Sequence, residues 1–291
     1  MSVITENANP DTWNIDVKDG KDIACLINNE DKKVALAVEK IIPDIGKAID
    51  RIAERLRNGG RIAYFGAGTS GRIGVLDASE MPPTFGVDAD MIQGYIAGGE
   101  TALRRAVENA EDKVENAEAD FKSFNADKND VVVAISASGN PNYTLKILQS
   151  GKNVGALTVA VTSNPDAVFK SSADIFLCTK VGAEVITGSS RMKSGTAQKM
   201  VLNMLSTGVM IKLGKVYHNY MVDLQINNKK LYRRAVKIVG EISGVNEQTA
   251  QKILDIAGNV KIACVMLLKN CNKQEAEKLL QQNEGVLRRV I

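Results

Sequence analysis

The sequence predicts an α/β protein built on a doubly wound parallel sheet. It adds helices before the sheet and a small helical bundle after it. Three observations carry this. Short apolar runs alternate with amphipathic stretches from Arg61 to Thr179. One run, Asp130–Ile135 (DVVVAI), is almost unbroken and β-branched, as in a strand buried on both faces. Hydroxyl-rich loops follow directly on three of the runs. Strand–helix alternation of this kind makes a parallel sheet with crossover helices.

Residues 21–58 read as helical, with apolar positions mostly three and four apart, and Pro43 divides them into two helices. Asn58, Gly59 and Gly60 stop the second. Arg61–Phe65 is the first strand. It enters Gly66, Ala67, Gly68, Thr69, Ser70 and Gly71, a turn whose glycines admit close backbone approach and whose amides attract anions. One or two helical turns follow. They end early at Pro82 and Pro83, against which Glu80 is held. Met91–Ala97 is the second strand, and Glu100 to about Phe124 one long, charge-rich helix. The third strand, 130–135, leads to the loop Ser136, Ala137, Ser138, Gly139 and a helix around Tyr143–Gln149. Val154–Val161 is the fourth strand, followed by Thr162 and Ser163. A brief helix near Asp166 precedes the fifth, Ile175–Thr179.

Met192–Leu213 is a long helix with a methionine-rich apolar face, read as core or subunit interface. Ser189, Ser190, Arg191 and Lys193 crowd its start. Basic residues there oppose the helix dipole unless an anion is also present; the other reading is a solvated basic cluster. After residue 228, four helical patterns are punctuated by Gly244, Gly258 and Asn272. The expected divisions are an N-terminal helical segment (1–50), an α/β domain (51–225) and a helical bundle (226–291).

Composition narrows the function. Net charge is +3, from 37 basic and 34 acidic residues, and aromatics are 4%, which argues against a nucleic-acid surface. No apolar run reaches the roughly 18 residues of a membrane span. The start, MSVITENANPDTWNID, is polar and unlike a signal peptide, so a cytoplasmic location is expected. Cys25, Cys178, Cys264 and Cys271 stand apart and suggest neither a zinc site nor a disulfide framework. His218 is the single histidine and belongs to a helix end or loop. Carboxylates are therefore the expected acids and bases.

The turn after the first strand also spells G-x-G-x-x-G, the dinucleotide fingerprint. A dinucleotide site wants a longer helix and an acid after the second strand. Here Gly98 and Gly99 come before Glu100. The adjacent hydroxyls Thr69 and Ser70 favour a small phosphorylated ligand. With Ser136, Ser138 and Thr162–Ser163 they place hydroxyls on three loops of one sheet edge.

Three long stretches resemble the N-acetylmuramic acid 6-phosphate etherase family: GAGTSGRIGVLDASEMPPTFG, AGGETALRRAVENAED and GAEVITGSSRMKSGTAQKMVLNMLSTGVMIKLGKVYHNYMVD. The resemblance runs from about Asp16 onward. It implies a sugar-isomerase-type domain and removal of D-lactate from C3 of a phosphorylated amino sugar. It also implies a homodimer and no metal or nucleotide cofactor. By motif match the catalytic pair is Glu80 of DASE and Glu111 of NAED. Gly68, Thr69, Ser70, Ser136, Ser138, Gly139, Ser189, Ser190 and Lys193 are the expected substrate and phosphate contacts. Burial against Pro82, Pro83 and Phe85 suits Glu80 as the acid, and a wetter acidic helix suits Glu111 as the base. Family members often read SGRTPY where this chain has Ser138, Gly139, Asn140, Pro141, Asn142 and Tyr143. The family is similar to the glucokinase regulatory protein, so a non-catalytic sugar-phosphate sensor is the alternative. A sugar-phosphate isomerase is the third reading.

Overall fold

The computed structural model describes residues 4–291; the first three residues of the polar start lie outside it. Single 3₁₀ turns at Ile4–Glu6, Pro10–Thr12 and Ile15–Val17 precede the first helices. Helix α1 (Gly20–Glu39) is capped by Asp19, and α2 (Ile42–Arg57) starts with Pro43 in its first turn. The break between them therefore falls where proline permits a helix to begin but not to continue.

The sheet is five-stranded and parallel throughout. Its strands are β1 (Ile62–Gly66), β2 (Ile92–Ile96), β3 (Val131–Ile135), β4 (Leu157–Thr162) and β5 (Ile175–Cys178). Strand order is β2-β1-β3-β4-β5, so the winding reverses between β1 and β3. Every residue of β1, β3 and β4 is buried, which explains their continuous apolar runs.

The connecting helices are α3 (Gly68–Ser79), α4 (Met81–Phe85), α5 (Gly99–Arg104), α6 (Val114–Phe124), α7 (Asn142–Asn153) and α8 (Lys193–Lys212). Two differ from expectation. Helix α3 runs twelve residues rather than one or two turns, because both prolines fall in the first turn of α4, after α3 has closed. The long charged helix from Glu100 is two short helices separated by a loop over 105–113. That loop folds back so that Val107 and Ala110 pack on Gly98, whose φ of 91° only glycine adopts readily.

The remaining elements are 3₁₀ turns at Val168–Ser172 (the brief helix expected near Asp166) and Leu287–Arg289, a hairpin of two-residue strands, β6 (Val216–Tyr217) and β7 (Tyr220–Met221), and four helices. These are α9 (Lys229–Ser243), α10 (Glu247–Ala257), α11 (Val260–Lys269) and α12 (Lys273–Gln282). His218 sits in the hairpin turn with φ 51°. Asn228, Asn246, Asn259 and Asn272 cap the four helices with side-chain oxygens.

The chain forms two compact units. One comprises the chain up to Ser79 with Asp90–Ser206, and includes α1, α2 and the sheet. The other comprises Glu80–Ala89 and Thr207–Ile291. The core of the second collects Val222, Val239, Ala250, Leu254, Ala263 and Val265. Among the described residues no helix is long and apolar enough to cross a membrane.

Helix α3 meets the end of β1 at a glycine contact. A Cβ on Gly71 would stand 2.6 Å from the Gly66 carbonyl oxygen and 2.6 Å from Ile96 Cγ1. Gly71→Ala gains about 1 kcal/mol of helix propensity but strikes backbone that cannot yield, and overpacking costs about 1–3 kcal/mol. The clash outweighs the gain. The substitution is expected to lower the melting temperature by several degrees in a thermal unfolding scan, where an exposed Gly→Ala in a helix raises it.

Candidate functional site

A cavity of about 320 Å³ opens at the carboxyl ends of β1 and β3. This is the point where strand order reverses and where open α/β sheets take their ligands. All of its lining residues belong to the first unit. The first residues of α3 (Gly68, Thr69, Ser70) form one wall, and their amides have no acceptor within the helix. The loop after β3 supplies Ser136, Ala137 and Ser138, and the start of α7 adds Pro141 and Thr144. Ser190 and Gly188 close another side.

The hydroxyls differ in what they can offer. Ser136 Oγ accepts the Gly139 amide at 3.0 Å and Ser138 Oγ the Asn140 amide at 3.3 Å, so both keep a proton to donate. Thr69 has no side-chain hydrogen bond among the described residues. Ser70 Oγ instead donates to Gln198 Oε1 at 3.0 Å.

Glu111 lines the same cavity from the loop between α5 and α6. Helix α7 pins that loop. The Tyr143 amide donates to the Glu111 carbonyl at 3.0 Å, and Asn142 Nδ2 to the Asp112 carbonyl at 3.4 Å. Asn142 belongs to the Asn140–Asn142 departure from the SGRTPY pattern, so that departure contributes to holding Glu111. Desolvation of the Glu111 carboxyl, and secondarily Asp112 beside it, raise it above the ordinary carboxylate range. Glu111 is thus in a turn rather than a helix; it is exposed, yet lines the cavity. A second cavity of about 270 Å³ lies on its other side, between Arg72, Val107 and Glu108.

Other expected site residues are placed differently. Glu80 belongs to the second unit, at the N-cap of α4. It is exposed, and its side chain caps nothing. The burial expected for it is absent, because Met81 and Phe85 turn inward while Glu80 does not. Gly139 acts through backbone: its φ is 68°, and a Cβ there would meet Ala167 Cβ at 2.3 Å. Ser189 is outside the cavity lining, its amide bonded to the Ile186 carbonyl.

Lys193 is not presented to the cavity. It is 2% exposed, with its ammonium 2.5 Å from Glu30 Oε2. Its backbone amide donates to Glu184 Oε2 at 2.8 Å. The Ser194 amide and hydroxyl donate to Glu184 Oε1 at 2.9 and 2.7 Å. The anion called for at the start of α8 is therefore the protein's own: Glu184 caps the helix and Glu30 neutralises the lysine. Nothing local in the sequence points to Glu30, which is 163 residues away.

The sequence reading missed Thr5 and Glu6, which line the cavity from the N-terminal 3₁₀ turn. The Gly188 amide donates to the Thr5 carbonyl at 3.0 Å, and Glu6 packs against Gly188. A single turn has too little periodicity to signal such a return. Among the described residues no group of three or more His, Cys, Asp or Glu could hold a metal ion.

Comparison with known proteins places the chain in a family. The chain is 50% identical over 288 residues to the N-acetylmuramic acid 6-phosphate etherase of Glaesserella parasuis serovar 5. That alignment covers 99% of this chain and 95% of the relative. The chain belongs to this etherase family. The etherase of Caldanaerobacter subterraneus subsp. tengcongensis is likewise 50% identical, over 99% and 95% of the two chains. Family profiles match the glucokinase regulatory protein N-terminal SIS domain over residues 44–151 and the SIS domain over 104–208. A third matches the C-terminal lid domain of glucokinase regulatory protein over 218–257. Among solved structures, a phosphoheptose isomerase from Neisseria gonorrhoeae superposes with a TM-score of 0.50 at 15% identity. The match covers 65% of this chain and 97% of the isomerase, and the two share the fold.

The Glu30–Lys193 pair makes stability depend on pH. Burial pushes the Glu30 carboxyl up, but hydrogen bonds from Lys193, Lys33 and Asn9 outweigh it and bring it down to about 2. A carboxyl below its unfolded value of about 4.3 stabilises the fold above that value and loses the contribution as pH falls toward 2. Glu30→Gln leaves Lys193 buried without its counter-ion, at a cost of about 3–5 kcal/mol. At pH 7 its melting temperature is expected about 10 °C below that of the unsubstituted chain. The gap should narrow steadily as pH falls from about 4.3 toward 2.

Proposed function

We propose that this chain cleaves the lactyl ether of N-acetylmuramic acid 6-phosphate, giving N-acetylglucosamine 6-phosphate and D-lactate. The observation that carries the reading is the placement of Glu111. A carboxyl raised above its usual range shares one cavity with an anion-seeking helix start and three hydroxyl donors. The phosphate end of the sugar fits the α3 amides with Thr69, Ser136 and Ser138. A sensor would need the donors but no such carboxyl. Glucokinase regulatory protein profiles match parts of the chain, but half-identical etherases over nearly its whole length favour the enzyme over the regulator.

The chemistry needs a base and an acid. With the sugar ring open, the C1 aldehyde makes the C2 proton acidic. A base removes that proton, the C3–oxygen bond breaks, and an acid protonates the departing lactate oxygen. Water then adds at C3 and a proton returns to C2. Each acid–base group contributes about 10²–10⁴-fold. We assign Glu111 as the base on its family motif, NAED, and its place in the cavity; its raised carboxyl is no part of that warrant, since the same property would suit an acid. Glu80 takes the acid role on its family motif, DASEMPP. Burial is no part of the warrant for that role.

The enzyme is read as acting in the cytoplasm, without metal or nucleotide, as a homodimer. The apolar face of α8 is not the warrant for the dimer, since Ala197, Val201, Leu205, Val209 and Met210 are all buried within the chain. The dimer follows from the family resemblance. Light scattering at micromolar concentration is expected to give twice the chain mass; the single-chain mass would remove the dimer from this reading.

Lactate release and isotope exchange test the catalytic pair. The unsubstituted chain should release lactate from N-acetylmuramic acid 6-phosphate with EDTA present. Glu80→Gln should lose release by at least about 10²-fold yet still exchange the C2 proton with deuterated water. Glu111→Gln should lose both. The reverse pattern exchanges the roles, and full release by both variants removes both residues from the chemistry.

A further inference from the structure

Below the cavity floor, α3 and α8 meet along a buried polar seam. Ser70 bonds Gln198, and further along the same two helices Ser206 Oγ donates to Asp77 Oδ1 at 3.2 Å. Gln198 is 1% exposed, and its Nε2 has no hydrogen-bond partner. A buried amide donor left unpaired is costly. The arrangement is also the wrong way round for an anion site. Ser70 spends its proton on Gln198 Oε1, so its oxygen turns only lone pairs toward the cavity it lines. Thr69, Ser136 and Ser138 are not committed in this way.

Turning the Gln198 amide by 180° pairs the donor and reverses the Ser70 bond, leaving the carbonyl oxygen, rather than the NH₂, at the unpartnered position. Nε2 then donates to Ser70 Oγ over the same 3.0 Å, and the Ser70 hydroxyl is released to donate to a phosphate oxygen. We propose that Gln198 is a positioning residue: its amide orientation decides whether Ser70 meets the ligand as donor or as acceptor, and a bound phosphate selects the donor state. The residue type matters here. An amide holds a donor and an acceptor on one group that can turn; an ionised carboxylate accepts only, and a thioether does neither usefully. The inference rests on reading the cavity as the seat of a phosphorylated sugar.

The test is calorimetric binding of N-acetylglucosamine 6-phosphate at pH 8 to folded variants, checked by thermal melting. Ser70→Ala is expected to weaken binding about tenfold, the loss of one hydrogen bond to a charged group. Gln198→Glu holds Ser70 in its acceptor state and is expected to weaken binding by a similar factor. The double variant should be no weaker than Ser70→Ala, since both act through one hydroxyl. Gln198→Met should weaken binding only about threefold. As pH falls toward 5.5 the introduced carboxyl gains a proton to donate, so Gln198→Glu should recover relative to the unsubstituted chain.

Binding by Gln198→Glu equal to that of the unsubstituted chain would overturn the proposal. So would losses that multiply in the double variant, or a Met variant weaker than the Glu variant. Should Gln198→Glu fail to fold, Ser70→Ala must still cost about tenfold in the Gln198→Met background; no cost there overturns the proposal equally. Lactate release by the unsubstituted chain is measured on the same preparation. Coupling without lactate release refutes the reaction alone, and lactate release without coupling refutes the role of Gln198 alone.

Discussion

Three charged side chains are buried around the start of α8: Lys193 and Glu30 neutralise each other, and Glu184 is held by the Lys193 and Ser194 amides and the Ser194 hydroxyl. Lys193 and Glu30 are almost wholly enclosed, and Glu184 is fully so. An isolated charge in that setting would cost a large share of the fold's net stability. Lys33 extends the arrangement outward, bonded to Glu30 at 2.5 Å and to Asp11 at 2.8 Å. Three distant stretches are thereby tied: the N-terminal turns with α1, the approach to α8, and α8 itself. The cavity rim hangs from these ties. Thr12 donates to the Val185 carbonyl and Asn9 to the Ala183 carbonyl, on the segment that carries Gly188 and Ser190.

Much of the fold was legible in local pattern. Fully buried strands write continuous apolar runs, and the four C-terminal helices stand where periodicity and their Asn or Gly boundaries put them. The hydroxyl loops were legible too, because the carboxyl edge of a parallel sheet is fixed by topology. The failures share one cause, which is tertiary contact overriding local signal. Glu108, Glu111, Asp112 and Glu115 are spaced as on a helix face, yet packing of Val107 and Ala110 on Gly98 opens a loop there. Lys193 looked available because its partner lies in α1. Glu80 looked buried because its neighbours are apolar, but neighbours in sequence can face opposite ways.

The site is assembled from groups that differ in how firmly they are held. The Ser136–Gly139 turn is locked by its own hydrogen bond and by the Gly139–Ala167 approach, so its donors are set before any ligand arrives. The Glu111 loop is held from α7 by a backbone bond and one amide side chain. Arg72 steadies its other end by donating to the carbonyls of Ala102 and Leu103. Preorganisation is therefore strongest where a phosphate would sit and is supplied by second contacts where the proton would move.

The helix caps of the two units are chemically unlike. In the first unit α1 begins on Asp19 and α8 on Glu184, both carboxylates. In the second, α9, α10, α11 and α12 all begin on asparagine. A carboxylate cap adds charge to the hydrogen bond but forfeits it once protonated; an amide cap is indifferent to acidity. The two carboxylate starts add charge to the helix dipole, and the four asparagine starts rest on hydrogen-bond geometry alone.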